Sequence, residues 1–221
     1  MSLRSISQPL GALLRLIYQV VGNYGLSIII FTILVKLALI PLTIKQTKSM
    51  KKLQDVQPKI KEIQKKYKND AETMNRKVME IYKEENINPF GGCLPLLIQF
   101  PIIIGLFNVL RDPLSFGFTQ EIIEVGFLWI PSLSTPEPFP YILPLLAAFA
   151  TYLTSVTMTT TANQQDPTQN MMKYFFPIMI FWMGRSFPAG LTLYWVISNL
   201  FQVVQQIVIT KPHIKLKEGS D

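Results

Sequence analysis

Acidic residues are missing from the places where they would say most. The chain has 221 residues, with 21 Lys and Arg and 14 Asp and Glu, and it carries five long apolar runs, residues 24–44, 93–110, 141–158, 171–187 and 191–209. None of these runs holds an Asp or a Glu. They therefore offer no carboxylate pair for general acid–base work. They also lack the carboxylates that a carrier of cations uses in the membrane. There is one cysteine, Cys93, which excludes an intramolecular disulfide and a cysteine-based metal cluster. It sits at the mouth of the second run and reads as a small packing residue. The one histidine, His213, lies in a polar tail, so no Ser-His or His-His-Glu set can be built. These absences argue against an enzyme and imply no metal and no cofactor. No internal repeat is visible, and five runs do not divide into equal halves, which weighs against an inverted-repeat transporter.

What is present is apolar surface in long blocks. Hydrophobic residues make up 49% of the chain and charged residues 16%, a composition of the membrane class. A helix of about 20 apolar residues crosses a bilayer, so the five runs predict an all-α polytopic membrane protein with five transmembrane helices. The first, YGLSIIIFTILVKLALIPLTI, holds Lys36 deep inside it. A charge at that depth costs a few kcal/mol, about 2.5–3.5 on insertion scales, and marks a polar pathway or a pairing with an acid. With no acid in any run, the neighbours available to Lys36 are neutral: Thr32 one turn earlier, Gln99, Thr154, Ser155, Asn199 and Gln202. The expectation is a water-accessible cavity around Lys36, with any counter-charge brought from outside the chain. The plainer alternative is a lysine that only snorkels to an interface.

The segments between the runs differ in kind. In residues 1–23 the apolar Leu10, Leu13, Leu14, Ile17 and Val21 recur at helical steps, while Gln8, Arg15 and Gln19 lie off that stripe. This predicts an amphipathic helix in the membrane interface, and those polar residues interrupt the run that a signal peptide needs. Residues 45–92 hold a helical hairpin and its linker. Twelve Lys and Arg face seven Asp and Glu over 45–88, Met50, Leu53, Val56, Ile60, Ile63 and Tyr67 form one stripe, and Met74, Val78 and Ile81 form a second. Asn69, with Glu72 three residues on, is the expected N-cap of the second helix, and Pro58 is expected to kink or restart the first. Residues 111–140 read as an external loop, with Phe127, Leu128, Trp129 and Ile130 resting on the membrane surface. The remainder is a polar cytoplasmic loop, 159–170, a tight external turn, 188–190, and a short tail, 210–221. With the hairpin in the cytoplasm, sixteen Lys and Arg lie inside and four outside. This bias predicts the N-terminus outside and the C-terminus inside. The net charge of +7 sits on the hairpin side and implies no sequence-specific binding of nucleic acid.

The order of parts resembles the YidC family of membrane protein insertases. The residues that carry the resemblance are the cation late in the first span, LALIPLTIKQTKSMKKLQDVQPKIKEIQKKYK after it, then NPFGGCLPLLIQFPI, and LYWVISNLFQ in the last span. The likeness runs from about residue 10 to residue 209, and with no large folded domain before the core the chain looks like the compact form of Gram-positive and related bacteria. The resemblance implies five helices around a hydrophilic groove in the bacterial plasma membrane. It implies that nascent membrane proteins are the substrates. The Sec translocon, the ribosome and targeting factors are the implied partners, the last two through the hairpin. It places Lys36 as the positive residue of the groove, Gln99 as a polar groove residue, Trp195 as a groove-lining aromatic, and Thr154 and Ser155 near the polar positions of the third span. The family usually has arginine where this chain has Lys36, which keeps the charge but not the guanidinium fork. A small anion channel or carrier that uses Lys36 in its pathway is the rival reading from the residues themselves.

Overall fold

The computed structural model describes residues 3–88, 94–158 and 171–210. Cys93, Gly91-Gly92, the 159–170 loop and the tail beyond Thr210 with His213 lie outside the described residues. The described chain is mostly helical, and its one β-interaction is an isolated bridge between Phe127 and Ile130.

Helix α1 spans Leu3–Val21 and α2 spans Tyr24–Lys66. Gly22, at φ +70, closes the first helix in the left-handed conformation that glycine adopts without strain. Asn23 opens the second, its side chain accepting from the Leu26 N–H at 2.9 Å. Helix α1 turns Ser7, Gly11, Leu14 and Ile17 into the protein and leaves Leu13, Leu16 and Val20 exposed. Its buried side packs on α4, where Asn108 Nδ2 donates to Ser7 Oγ at 3.2 Å. Of the expected stripe, Leu14 and Ile17 are buried and Leu10 and Val21 pack against the core, while Leu13 faces out and Ser7 and Gly11 join the buried face.

Helix α2 has 43 residues and runs without interruption through Pro41 and Pro58. Neither the expected boundary after Ile44 nor a restart at Pro58 breaks it. Residues 45–57 contain no glycine and are mostly good helix formers, so polarity changes there while the backbone continues. Helix α3, Ala71–Glu84, follows a short turn. Its N-cap is Asp70, whose carboxylate accepts from the Thr73 N–H at 3.0 Å, and not the expected Asn69. The turn takes one more residue than the Asn69–Glu72 spacing suggested, and the next residue is an equally good cap. Val56 and Ile60 of α2 pack with Ile87, Leu53, Val78, Ile81 and Tyr82, and Lys59 pairs with Glu85 at 2.5 Å.

Helix α4, Leu94–Arg111, leads into a compact loop with a 3-10 turn at Pro113–Phe116 and a short helix α5, Gln120–Glu124. The surface expectation for residues 127–130 holds only in part. Leu128 and Trp129 are exposed, but Ile130 is buried and Phe127 packs over Gly25. The bridge between Phe127 and Ile130 turns both inward. Helix α6 spans Ile142–Met158. A π-helical turn, Met171–Phe175, runs into α7, Phe176–Gly184, which stops short of the expected end at 187. Helix α8 is Ala189–Thr210.

One core joins these helices at the loop end of the bundle. It is built from Tyr24, Ile28 and Phe31 of α2, Leu106, Val109 and Leu110 of α4, Leu143 and Ala147 of α6, Leu191 and Tyr194 of α8, and Phe118, Ile130 and Leu133 of the loop. The loop is bonded into this end. Leu133 and Thr135 carbonyls accept from Gly190 and Ala189 N–H, both at 2.8 Å, and so satisfy the first amides of α8. Glu137, 3% exposed, does the same for α6, accepting from Leu143 N–H at 2.7 Å and from Trp129 Nε1.

The outward faces are apolar. The most apolar stretch of α2 has a mean hydropathy of 2.4 but is only 28% buried. Leu34 and Leu37 of α2, Leu145 and Phe149 of α6, Trp182 of α7, and Val204 and Val208 of α8 are all exposed. A helix that apolar is buried in the core of a soluble protein, and a contiguous surface of this kind marks contact with another apolar phase.

Candidate functional site

Lys36 lies midway along the apolar part of α2, and at 8% exposed it is enclosed. Its Nζ donates to Gln99 Oε1 of α4 at 3.4 Å, near the outer limit of a hydrogen bond. Gln99 Nε2 donates in turn to the hydroxyl of Tyr194 on α8, which also shares a hydrogen bond with Ser198 one turn on. The order of donors is dictated by the lysine. An ammonium is donor-only, so the amide must offer it oxygen and pass its own N–H to the tyrosine. Among the described residues the two ion pairs, Lys59–Glu85 and Lys77–Glu80, are both in the hairpin. Lys36 therefore meets no carboxylate, and one long bond to a neutral amide does not replace the hydration of a cation.

The other expected residues fall into a second seam, between α6 and α8. Trp195 Nε1 donates to Thr151 Oγ1 at 3.0 Å, Thr154 Oγ1 to Asn199 O at 3.3 Å, and Asn199 Nδ2 to Trp195 O at 2.9 Å. Ser155 Oγ donates to Thr151 O one turn back. Thr32 is fully buried with its hydroxyl bonded to Ile28 O at 2.6 Å, so its proton is directed to its own helix. The structure thus brings Gln99 to Lys36 and gathers Thr154, Trp195 and Asn199 elsewhere. Helix α8 joins the two sets, because Tyr194 and Ser198 on one face and Trp195 and Asn199 on the next are each one turn apart. Gln202 belongs to neither set.

A third group continues the polar line on the α2–α8 side toward the hairpin. Gln205 Nε2 donates to Thr43 Oγ1, two turns beyond Lys36. Gln205 Oε1 and Gln46 Nε2 are buried with no hydrogen-bond partner among the described residues. Gln46 is 4% exposed and Gln205 8%. Buried polar atoms in this state call for water. In the other direction from Lys36 the buried polar residues Thr32 and Ser27 bond to their own helix, and Phe31, Ile28 and Leu110 belong to the apolar core.

Tyr194, Ser198, Thr151, Thr43, Gln46 and Gln205 were not singled out from the sequence. Tyr194 could have been, since a buried tyrosine needs a partner for its hydroxyl and Ser198 repeats on its face.

Comparison with known proteins follows the same line. The sequence model of the 60Kd inner membrane protein family matches residues 16–217. The membrane protein insertase YidC of Caldanaerobacter subterraneus subsp. tengcongensis is 39% identical over 216 residues, covering 98% of this chain and 99% of the relative. That of Fusobacterium nucleatum subsp. nucleatum is 45% identical over 206 residues, 93% of this chain and 95% of the relative. The YidC insertase of Geobacter sp. strain M21 is 42% identical over 93% of this chain, which spans only 37% of that protein. A crystal structure of an active YidC insertase superimposes with a TM-score of 0.72 at 27% identity, over 95% of this chain and 47% of that one. With a family model that spans nearly the whole chain and relatives matched end to end, the chain belongs to the 60Kd inner membrane protein family, that of the YidC insertases.

Proposed function

We propose that this chain inserts membrane proteins by lending a short, wet, positively charged path to the polar segments that must cross the bilayer. The observation that carries the reading is Lys36, buried on an apolar helix with Gln99 as its one hydrogen-bond partner among the described residues. A passenger's translocated tail with an Asp or Glu supplies the missing counter-charge. From Lys36 to Gln46 is ten residues, or about 15 Å of helix, half of a hydrocarbon core of about 30 Å. A polar line of that length, running toward the hairpin and ending at an apolar plug, halves the distance a polar segment must travel through lipid. The passenger's hydrophobic helix then leaves sideways, drawn by its own apolar surface, and no nucleotide is required.

The charge bias puts the hairpin in the cytoplasm and the 111–140 loop outside. The hairpin, which carries most of the basic residues, then faces the ribosome, targeting factors or emerging substrate, and the bundle works alone or beside the Sec translocon. The proposed polar lining is Gln99 beside Lys36, with Thr154, Ser155, Trp195 and Asn199 along the adjoining α6–α8 seam and Thr32 one turn before Lys36.

The test uses two single-span substrates that differ only in the charge of the translocated tail, presented to vesicles with equal amounts of each variant. Lys36→Arg should keep most insertion. Lys36→Ala should reduce insertion of the acidic tail about tenfold, the order set by a charge interaction of about 1.4 kcal/mol, and affect the neutral tail less. Lys36→Glu should be worst for the acidic tail. Equal activity of Lys36→Ala and the parent on the acidic tail would sink the charge mechanism. Passage of small anions through vesicles without insertion would favour the channel reading instead.

A further inference from the structure

Helix α1 has three faces rather than two. Ser7, Gly11, Leu14 and Ile17 are buried against the bundle. Leu13, Leu16 and Val20 are exposed, the last at 82%. Between these faces runs an exposed stripe at i, i+4, i+7 and i+11: Gln8, Ala12, Arg15 and Gln19. This stripe forms one wall of an open cleft of about 590 Å³, and Ser115, Phe116 and Gly117 form the other.

Arg15 is held in this cleft by shape. A Cβ at Gly117 would stand 2.5 Å from Arg15 Nη1 and 3.1 Å from Cζ, so the guanidinium lies against bare backbone that glycine alone leaves open. Gly117 also sits at φ +83, where a side chain is strained. Among the described residues Arg15 has no acidic partner. Asp112, three residues before Ser115 of the cleft wall, accepts from the Ser115 hydroxyl, and the cleft lining itself contains no acid.

We propose that this cleft binds the headgroup of an anionic phospholipid of the phosphatidylglycerol class. The guanidinium fork matches two phosphate oxygens. The Gln8 and Gln19 amides flank it as donors and acceptors for headgroup hydroxyls, and the Leu13, Leu16 and Val20 face lies beside it to meet the acyl chains. An anionic lipid fits better than a zwitterionic one, because the lining offers one cation and no carboxylate for a choline or ammonium group. The inference rests on the membrane placement proposed above but not on the Lys36 mechanism, and its readout is lipid binding rather than insertion.

The experiment titrates short-chain phosphatidylglycerol into the full chain in detergent, with bound lipid counted by native mass spectrometry. Arg15→Gln should weaken binding at least fivefold, and Arg15→Lys should fall between it and the parent. Asp112→Asn should tighten binding two- to threefold by removing a competing charge. Lys52→Gln, on the hairpin, should match the parent. Arg15 is exposed, so these variants should fold, and an unchanged helical circular dichroism spectrum checks this. Parent-like binding by Arg15→Gln would overturn the site. Equal retention of phosphatidylcholine would reduce it to general lipid contact, and displacement of the lipid by an equal concentration of glycerol phosphate would make it a site for a soluble anion. Either result overturns the proposal.

Discussion

Two buried polar side chains, Glu137 and Tyr194, bond across elements of the fold. Glu137 joins the loop to α6, with both its oxygens engaged by Trp129 Nε1 and Leu143 N–H. Glu137→Ala would strand two donors, and a buried unsatisfied donor costs about 1–3 kcal/mol. The expected loss in melting temperature of the detergent-solubilised chain is about 2–4 °C for each kcal/mol at this size, and a loss below one degree would show that water replaces the carboxylate. Tyr194 is the second case. Tyr194→Phe removes the acceptor for Gln99 Nε2, frees that amide to rotate, and so loosens its hold on Lys36. Insertion of acidic-tailed substrates should then change while neutral tails are spared. Neither residue was singled out from the sequence, although the Tyr194–Ser198 spacing was a usable signal. A tyrosine inside an apolar run reads as apolar, and nothing local marks Glu137 as the one loop acid that turns inward. Lys36 and Gln99 were legible, because a charge in an apolar run demands a partner and Gln99 is one of the few polar side chains facing that depth.

Helices were easier to read than their ends. The stripes over 50–67 and 74–81 anticipated the packing of α2 on α3 because period and burial obey the same geometry. The cap did not follow, since Asn69 and Asp70 are both good caps and turn length decides between them. The correct cap carries a pH dependence. Hydrogen bonds from Thr73 hold the Asp70 carboxyl below its ordinary range. Its folded-state value is depressed, so its contribution is present above the usual carboxylate range and is lost as pH falls through the folded value. Amide exchange over Ala71–Met74 should therefore quicken on acidification, and Asp70→Asn, an uncharged cap, should flatten that response. A second prediction concerns α7. Its described residues with the π-helical turn before it, Met171–Gly184, number 14, about 21 Å of helix against a hydrocarbon core of about 30 Å. If the span is no longer than this, the bilayer should thin beside it. Depth-dependent quenching should find labels at the two ends closer together than the bulk headgroups, and normal headgroup depth at both ends would refute the thinning.

At the scale of the whole molecule the question is which end faces the cytoplasm, and α2 makes it sharp. Its 43 residues extend about 65 Å, twice the thickness of a hydrocarbon core. On the proposed membrane placement, Tyr24, buried in the core at the loop end, and Lys66 in the hairpin lie on opposite sides of the membrane. The direction is then a proposal: the sixteen-to-four division of basic residues favours the hairpin on the cytoplasmic side. In a background with Cys93 replaced, Thr135→Cys and Asn69→Cys are suitable reporters, because both positions are exposed and lie at opposite ends. Thr135→Cys should react with a membrane-impermeant maleimide added to intact cells. Asn69→Cys should react only after permeabilisation. The reverse pattern would turn the polar line from Lys36 to Gln46 toward the outside, where no nascent chain could enter it, and would move the Arg15 cleft to the inner leaflet. Labelling of both positions in intact cells would mean a mixed topology, and the charge bias would then be too weak to orient a chain whose longest helix alone requires one end on each side.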